Sequence, residues 1–341
     1  MRRGAIFVLC ILLCLMPIGR AEAVEDIFSE AAIVIEFETG DILYAREIDR
    51  PLFAASLTKI MTAYILFEEI AAGNLTLETQ IPVSEHVVHI SRAIDHRGPF
   101  SDGASYTADT LLKLLFLPSS NAASIAVAEH ISGTEEVFTR RMEETAVRLG
   151  MTAQYQTAHG LWGENIKTAH CIAELTRHFI RTHPEILAYS SMESFRFYET
   201  EYSNINALIF EREEIDGFKT GATAAAGYCL VTTGVRDGQR VIVVTMNAPD
   251  RSDAFADSQR LLEHGFAVLE HRTVSAYDPP AENIPPPPPV IAEEEDAEEE
   301  EEQAGAGFDM PVWMIAGILA VLVTGAAVIV FVLKSKRGKR E

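Results

Sequence analysis

Between Asp278 and Glu302 the chain carries a segment with no means of building a core. Asp278 to Pro289 is rich in proline, and Glu293 to Glu302 is glutamate throughout except for Asp296 and Ala297. Neither half offers enough apolar surface to offset the entropy lost on ordering it. Prolines stiffen the first half and like-charge repulsion extends the second. At roughly 3.1 Å per residue, about thirty such residues reach ~100 Å. A solvated spacer is the simpler reading; a partner that binds the acidic run is the alternative. The tract also supplies a good part of the formal net charge of −22, so that charge says little about the rest of the chain. Nothing suggests nucleic acid, which calls for basic patches.

The spacer divides the chain into parts with different tasks. On its far side, Pro311 to Leu333 is an uncharged apolar stretch of the length that spans a bilayer. Trp313 sits at one edge, and Lys334, Lys336, Arg337, Lys339 and Arg340 follow at once. Clustered Lys and Arg beside a spanning helix favour the cytoplasmic side. At the other end, Arg2 and Arg3 precede an apolar run from Ala5 to Ile18 and the small-x-small exit Ala21-Glu22-Ala23. These are the parts of a secretory signal peptide, and the run is short for a spanning helix. The expected layout is a signal peptide at 1–23, a folded body at 24–277, a linker at 278–310, a transmembrane helix at 311–333 and a basic cytoplasmic tail at 334–341. The body then lies outside a plasma membrane. Cys10 and Cys14 leave with the signal, while Cys171 and Cys229 remain where a disulfide is permitted. Each lies in an apolar stretch, so a bridge and two buried thiols are equally open readings.

Within the body, β-rich runs cluster at the two ends. Ala32 to Ile35 and Ile42 to Tyr44 flank the turn Glu38-Thr39-Gly40-Asp41 and read as a hairpin. Tyr228 to Thr233 and Val241 to Met246 flank Arg236-Asp237-Gly238 in the same way. Between them, helical spacing predicts Leu57 to Ala72, Thr107 to Leu117, Asn121 to Ile131, Glu135 to Leu149 and Thr168 to Arg181. A final amphipathic helix is expected from Asp253 to Leu269. Strands from both ends with helices between them predict an α+β fold: an antiparallel sheet flanked by helices, with an all-helical insert.

Three short patterns carry chemistry. Ser56-Leu57-Thr58-Lys59 opens the first long helix, and residues three apart share a helix face. A serine hydroxyl is a poor nucleophile until a base takes its proton, and a lysine is a base only when neutral. Burial and the positive end of the helix dipole both favour the neutral amine. Free amides at a helix start can also stabilise an oxyanion. Ser119-Ser120-Asn121 lies between two helices, where a second hydroxyl can relay a proton and the Asn amide can hold a peptide carbonyl. Lys219-Thr220-Gly221 combines a charge and a hydroxyl, which suits a terminal carboxylate, with a glycine that admits close backbone approach. Each has a plainer alternative: an N-cap serine, a helix cap and a turn. In this order and context they form the set used by penicillin-recognising serine enzymes.

At this point the chain resembles the low-molecular-mass penicillin-binding proteins of the D-alanyl-D-alanine carboxypeptidase family, over most of 31–266. Further residues carry the resemblance: Ala55 to Ala63, His159-Gly160-Leu161, Asp216 to Gly221, Ala226-Gly227-Tyr228 and Leu262 to Phe266. It implies a β-lactamase/transpeptidase-like fold and an acyl-enzyme route needing no cofactor or metal. Peptidoglycan stem peptides are the implied substrate and β-lactam antibiotics the implied inhibitors. By the same resemblance Ser56 attacks the D-Ala-D-Ala carbonyl, Lys59 is general base and Ser119 shuttles the proton. Asn121 and Lys219 position the substrate, Thr220 meets its carboxylate, and the amides of Ser56 and Ala222 form the oxyanion hole. Ala54 and Ser120 depart from the family's usual proline and glycine. The spacer and spanning helix stand where the family commonly carries a β-rich domain and an amphipathic anchor.

The same residues would serve a DD-endopeptidase cutting cross-links. A catalytically dead peptidoglycan binder is disfavoured by the intact Ser56, Lys59, Ser119, Asn121 and Lys219. A class A β-lactamase needs a carboxylate to activate the deacylating water. Glu164 is present between Gly160 and His170, but no Glu-x-x-x-Asn pattern. His159 reads as structural.

Overall fold

The N-terminal hairpin forms as its turn residues require, with strands β1 (Ala31–Glu36) and β2 (Ile42–Arg46). A computed structural model provides the structure of the protein and describes residues 24, 27–95 and 97–274. Along the chain follow β3 (Leu52–Phe53), β4 (Gln80–Pro82), β5 (Ser105–Thr107), β6 (Ile166–Lys167), β7 (Ser194–Phe197) and β8 (Thr200–Ser203). The last three are β9 (Ile215–Thr223), β10 (Gly227–Arg236) and β11 (Gln239–Ala248). The main sheet has the order β2-β1-β11-β10-β9 and is antiparallel throughout. Its centre joins the two ends of the body, with Ala31 opposite Met246 and Ile35 opposite Ile242.

Both faces of this sheet are covered, which is why its strands read as unbroken apolar runs. All six residues of β1 are buried. Successive side chains point to opposite faces. Ala31, Ile33 and Ile35 join Ile242, Val244 and Met246 in the large core beneath the helical part. Ala32 and Val34 join Val241 and Val243 on the other face, under Leu261, Leu262 and Phe266 of the Arg251–Val274 helix. That gives three layers, helix–sheet–helix. The α+β reading, the antiparallel sheet and the helices between the strand groups are all observed.

The helical part is built around two buried helices. In Lys59–Ala71, every residue from Lys59 to Phe67 is buried. In Asn121–Ser132, every residue from Asn121 to Ala128 is buried. Ser120 caps the second, accepting the Ala123 N–H. Thr134 and Thr168 cap the Glu135–Arg148 and Ala169–Thr182 helices in the same way. Such caps satisfy amides that a helix start leaves unpaired.

Several elements differ from expectation. The two-residue pairing of β3 with β6 and the short β4–β5 and β7–β8 pairs carry no periodicity long enough to recognise. The bounds of β9, Ile215–Thr223, carry no readable periodicity either, because glycine and lysine interrupt its alternation. Cys171 and Cys229 are free thiols, so the disulfide alternative is not realised. Burial pushes the Cys229 thiol up to about 11. Among the described residues no helix is long and apolar enough to cross a membrane. The expected signal peptide, linker, spanning helix and basic tail all lie outside the described residues.

Candidate active site

The candidate nucleophile sits at a sharp bend. Ala55 has φ +47°, a left-handed conformation that costs a residue with a Cβ roughly 1 kcal/mol. Ala55–Thr58 form a single 3-10 turn, and the α-helix begins only at Lys59. Ser56 therefore precedes the helix instead of opening it, and it is not the helix cap, a position held by Thr58. The turn is tied down from outside: the Ala54 N–H donates to the Asn165 carbonyl at 3.0 Å. Proline, the family's usual residue there, has no N–H to give.

Ser56 and Lys59 nevertheless face each other. Lys59 Nζ lies 2.9 Å from Ser56 Oγ, 2.8 Å from Asn121 Oδ1 and 2.8 Å from the His159 carbonyl oxygen. The side chain is fully buried, and burial pushes its pKa down to about 7. Asp95 and Glu135 oppose that shift, while Arg97 adds to it. A neutral amine has two hydrogens and one lone pair. The two carbonyl acceptors take the hydrogens. The lone pair is left for the Ser56 hydroxyl, which is the arrangement a general base requires.

The carbonyl of His159 is held from behind. Glu135 accepts from the Ala158 N–H at 2.7 Å, and His159 Nδ1 accepts from the Leu161 N–H at 3.0 Å. Burial pushes His159 down to about 3, so its ring is neutral and structural, as expected. Gly160 has φ +81°, and a Cβ there would lie 1.9 Å from the Ala55 carbonyl oxygen. Only glycine fits between this loop and the nucleophile turn.

Ser119 faces the second lysine. It too has a left-handed φ, +62°, and its Oγ lies 2.9 Å from Lys219 Nζ. Lys219 also donates to the Thr220 carbonyl at 3.2 Å. In the Ser119-Ser120-Asn121 motif the cap reading is right for Ser120 alone. Ser119 and Asn121 point at Lys219 and Lys59. Lys219 lies inside β9, not in a turn, with Val231 opposite. It is buried, and burial, Lys59 and Arg97 together hold it well below the ordinary lysine range. The ready-made charge expected of Lys219 is thus conditional: an arriving carboxylate favours its protonated form.

Gly221 also serves the fold of the site. A Cβ there would meet the Ala54 carbonyl oxygen at 3.0 Å and the Ser56 nitrogen at 3.1 Å. The glycine lets β9 press against the nucleophile turn, so the Ser56 amide lies close beside β9. Thr220 Oγ1 has no hydrogen-bond partner among the described residues. Thr220 lines, with Ser56, Ser119 and Ala222, a cleft of about 220 Å³. Arg97 and Arg251 line it as well. Neither arginine, nor Asp95 and Glu135 behind the site, belongs to a recognisable motif, and no sequence signal singles them out.

The site therefore brings Ser56, Lys59, Ser119, Asn121, Lys219, Thr220, Gly221 and Ala222 around one cleft. Its parts suit acyl transfer: a serine beside a buried amine, a relay hydroxyl and a cationic end. Comparison with known proteins agrees with this chemistry. The family model for D-alanyl-D-alanine carboxypeptidase matches residues 19–250. The chain is 32% identical over 260 residues to the D-alanyl-D-alanine carboxypeptidase DacC of Escherichia coli. That match covers 74% of this chain and 64% of DacC, so the chain spans under two thirds of that relative's length. It is 30% identical over 269 residues to a D-alanyl-D-alanine endopeptidase of Pseudomonas aeruginosa, covering 74% of this chain and 83% of the relative. The crystal structure of a Listeria monocytogenes penicillin-binding protein in its ampicillin-bound form superposes with a TM-score of 0.65 at 26% identity. It covers 72% of this chain and 100% of that one. On the breadth of the family match, this chain belongs to the D-alanyl-D-alanine carboxypeptidase family.

Proposed function

We propose that the protein is a serine-type D-alanyl-D-alanine carboxypeptidase that removes the terminal D-alanine of peptidoglycan stem pentapeptides. The single observation that carries this reading is the fully buried Lys59 amine 2.9 Å from Ser56 Oγ. Ser56 is the nucleophile. Its proton passes to Lys59 as Oγ bonds to the carbonyl carbon between the two D-alanines. The amides of Ser56 and Ala222 hold the oxyanion, where preorganised donors act most strongly. Asn121 and Lys219 position the peptide, and Thr220, whose hydroxyl has no other partner among the described residues, meets the terminal carboxylate. The proton reaches the leaving nitrogen through Ser119, the C–N bond breaks and free D-alanine departs. Water then attacks the ester, gives its proton to Lys59, and Ser56 Oγ leaves and is reprotonated.

The ampicillin-bound form of the Listeria neighbour supports β-lactams as ligands of this site, where Ser56 would be the group they acylate. The basic-then-apolar 2–18 stretch supports export of the body, and the apolar 311–333 stretch with its basic flank supports anchoring to the plasma membrane. The test is incubation of the full chain with a stem pentapeptide. One D-alanine released per peptide supports the reading. A bound but uncut peptide would instead indicate a non-catalytic binder. The Pseudomonas relative favours a second reading, a DD-endopeptidase. Cleavage of a cross-linked dimer faster than the pentapeptide would select it.

A further inference from the structure

Asp95 stands at the end of a wide (π) turn, Ser91–Asp95, and no motif includes it. It is 5% exposed, and its carboxylate accepts four hydrogen bonds from three consecutive residues. Ser120 Oγ donates at 2.6 Å, the Asn121 N–H at 2.8 Å, the Ala122 N–H at 3.2 Å and Asn121 Nδ2 at 3.2 Å. The last of these settles which way the Asn121 amide faces. With Nδ2 turned to the carboxylate, Oδ1 must turn to Lys59, 2.8 Å away. One Nδ2 hydrogen then remains for a substrate carbonyl. In the flipped amide, Nδ2 would point its hydrogens at the Lys59 amine and compete with the Ser56 hydroxyl for the lone pair.

The departure at Ser120 acquires a reason here. Glycine, usual in the family, has no hydroxyl to donate, whereas Ser120 both donates to Asp95 and accepts from the Ala123 N–H. We infer that Asp95 is a positioning residue for the proposed hydrolysis: it fixes the Asn121 amide so that the Lys59 lone pair stays free for Ser56. The inference rests on the proposed function for its catalytic meaning. Lys59 faces charge from several sides: Asp95 and Arg97 on the 91–97 segment, Glu135 on the Glu135–Arg148 helix, Lys219 on β9, and the neutral His159 ring. Among these Asp95 does most to favour the protonated amine, so its loss lets Lys59 give up its proton at lower pH.

The experiment compares full-length wild type with Asp95→Asn, Asp95→Glu and Ser120→Gly. The readouts are the rate of acylation by a fluorescent penicillin against pH, and an NMR titration of the Lys59 side chain. Asp95→Asn is expected to slow saturating acylation roughly 10-fold to 100-fold, the scale of small misplacements at a reacting centre. Half-saturating penicillin should change less, and both the rate limb and the Lys59 midpoint should move below their wild-type pH. Ser120→Gly keeps the carboxylate and should leave the midpoint in place. Asp95→Glu restores the charge, so its midpoint should return toward wild type even if its rate does not. A folded Asp95→Asn with wild-type rate and midpoint overturns the inference. So does a rate loss that only tracks lost folded protein while the midpoint stays fixed. If Asp95→Asn does not fold, Asp95→Glu decides through its midpoint, and a midpoint displaced to the unbalanced value overturns the claim. Should wild type fail to acylate, the proposed function falls, and the Lys59 titration alone still decides what Asp95 does.

Discussion

Residue by residue, this site depends on keeping charge away from one amine. Lys59 and Lys219 are both buried, and with Arg97 nearby they cannot all carry protons at little cost. A general base works best when its pKa lies near the working pH, and a value of about 7 at Lys59 meets that condition. Acylation by penicillin should rise with pH through a limb centred near 7, because only the free amine accepts the Ser56 proton. A stopped-flow pH profile checks this, and a limb near the ordinary lysine value of 10.5 would contradict it. The same shift has a stability consequence. Between pH 7 and 10.5 the unfolded chain holds a proton at this lysine that the folded chain has released, so stability rises with pH across that window. Relative to Lys59→Met, wild type should gain about 2 kcal/mol between pH 7 and 9, read by urea unfolding.

At the scale of elements, the nucleophile turn is squeezed between two glycine-bearing partners, the His159-Gly160-Leu161 loop and strand β9. Gly160→Ala would drive a Cβ into the Ala55 carbonyl at a left-handed backbone position. It should destabilise the fold by about 2–4 kcal/mol and abolish penicillin labelling of the protein that remains folded. Thermal unfolding and gel labelling check the two parts separately. How legible these elements were varied with their physical signal. The long helices and the β1, β10 and β11 strands were readable because burial imposes either helical spacing or an unbroken apolar run. Lys219-Thr220-Gly221 is readable as chemistry on a late strand, but the bounds of that strand are not, since a glycine needed for close approach and a buried lysine destroy its alternation. The start of the first long helix is read too early, at Ser56 instead of Lys59, because a 3-10 segment and a following α-helix share the same apolar spacing. Asp95, Glu135 and Arg97 were invisible: they act through contacts 22 to 76 positions away, to Lys59 and the motif beside it, which no local pattern encodes. Fold class, the seven motif residues and, through the resemblance, Ala222 could be read as sharing one site; the shell that tunes them could not.

For the molecule as a whole, the layout we propose is a catalytic body, a Pro/Glu spacer and an apolar anchor. The spacer's reach of ~100 Å would let the body range through a wall layer while staying tethered. Protease added to the outside of spheroplasts should digest the body and leave a small membrane-held remnant; full protection would overturn this topology. The account as a whole stands on Ser56 being the group that becomes acylated. Its most direct test is to treat the full chain with a penicillin at pH 8, digest it and locate the adduct by mass spectrometry. The account predicts one penicillin mass on the peptide containing Ser56 and none in Ser56→Ala. An adduct on any other residue, or equal labelling of Ser56→Ala, would contradict it.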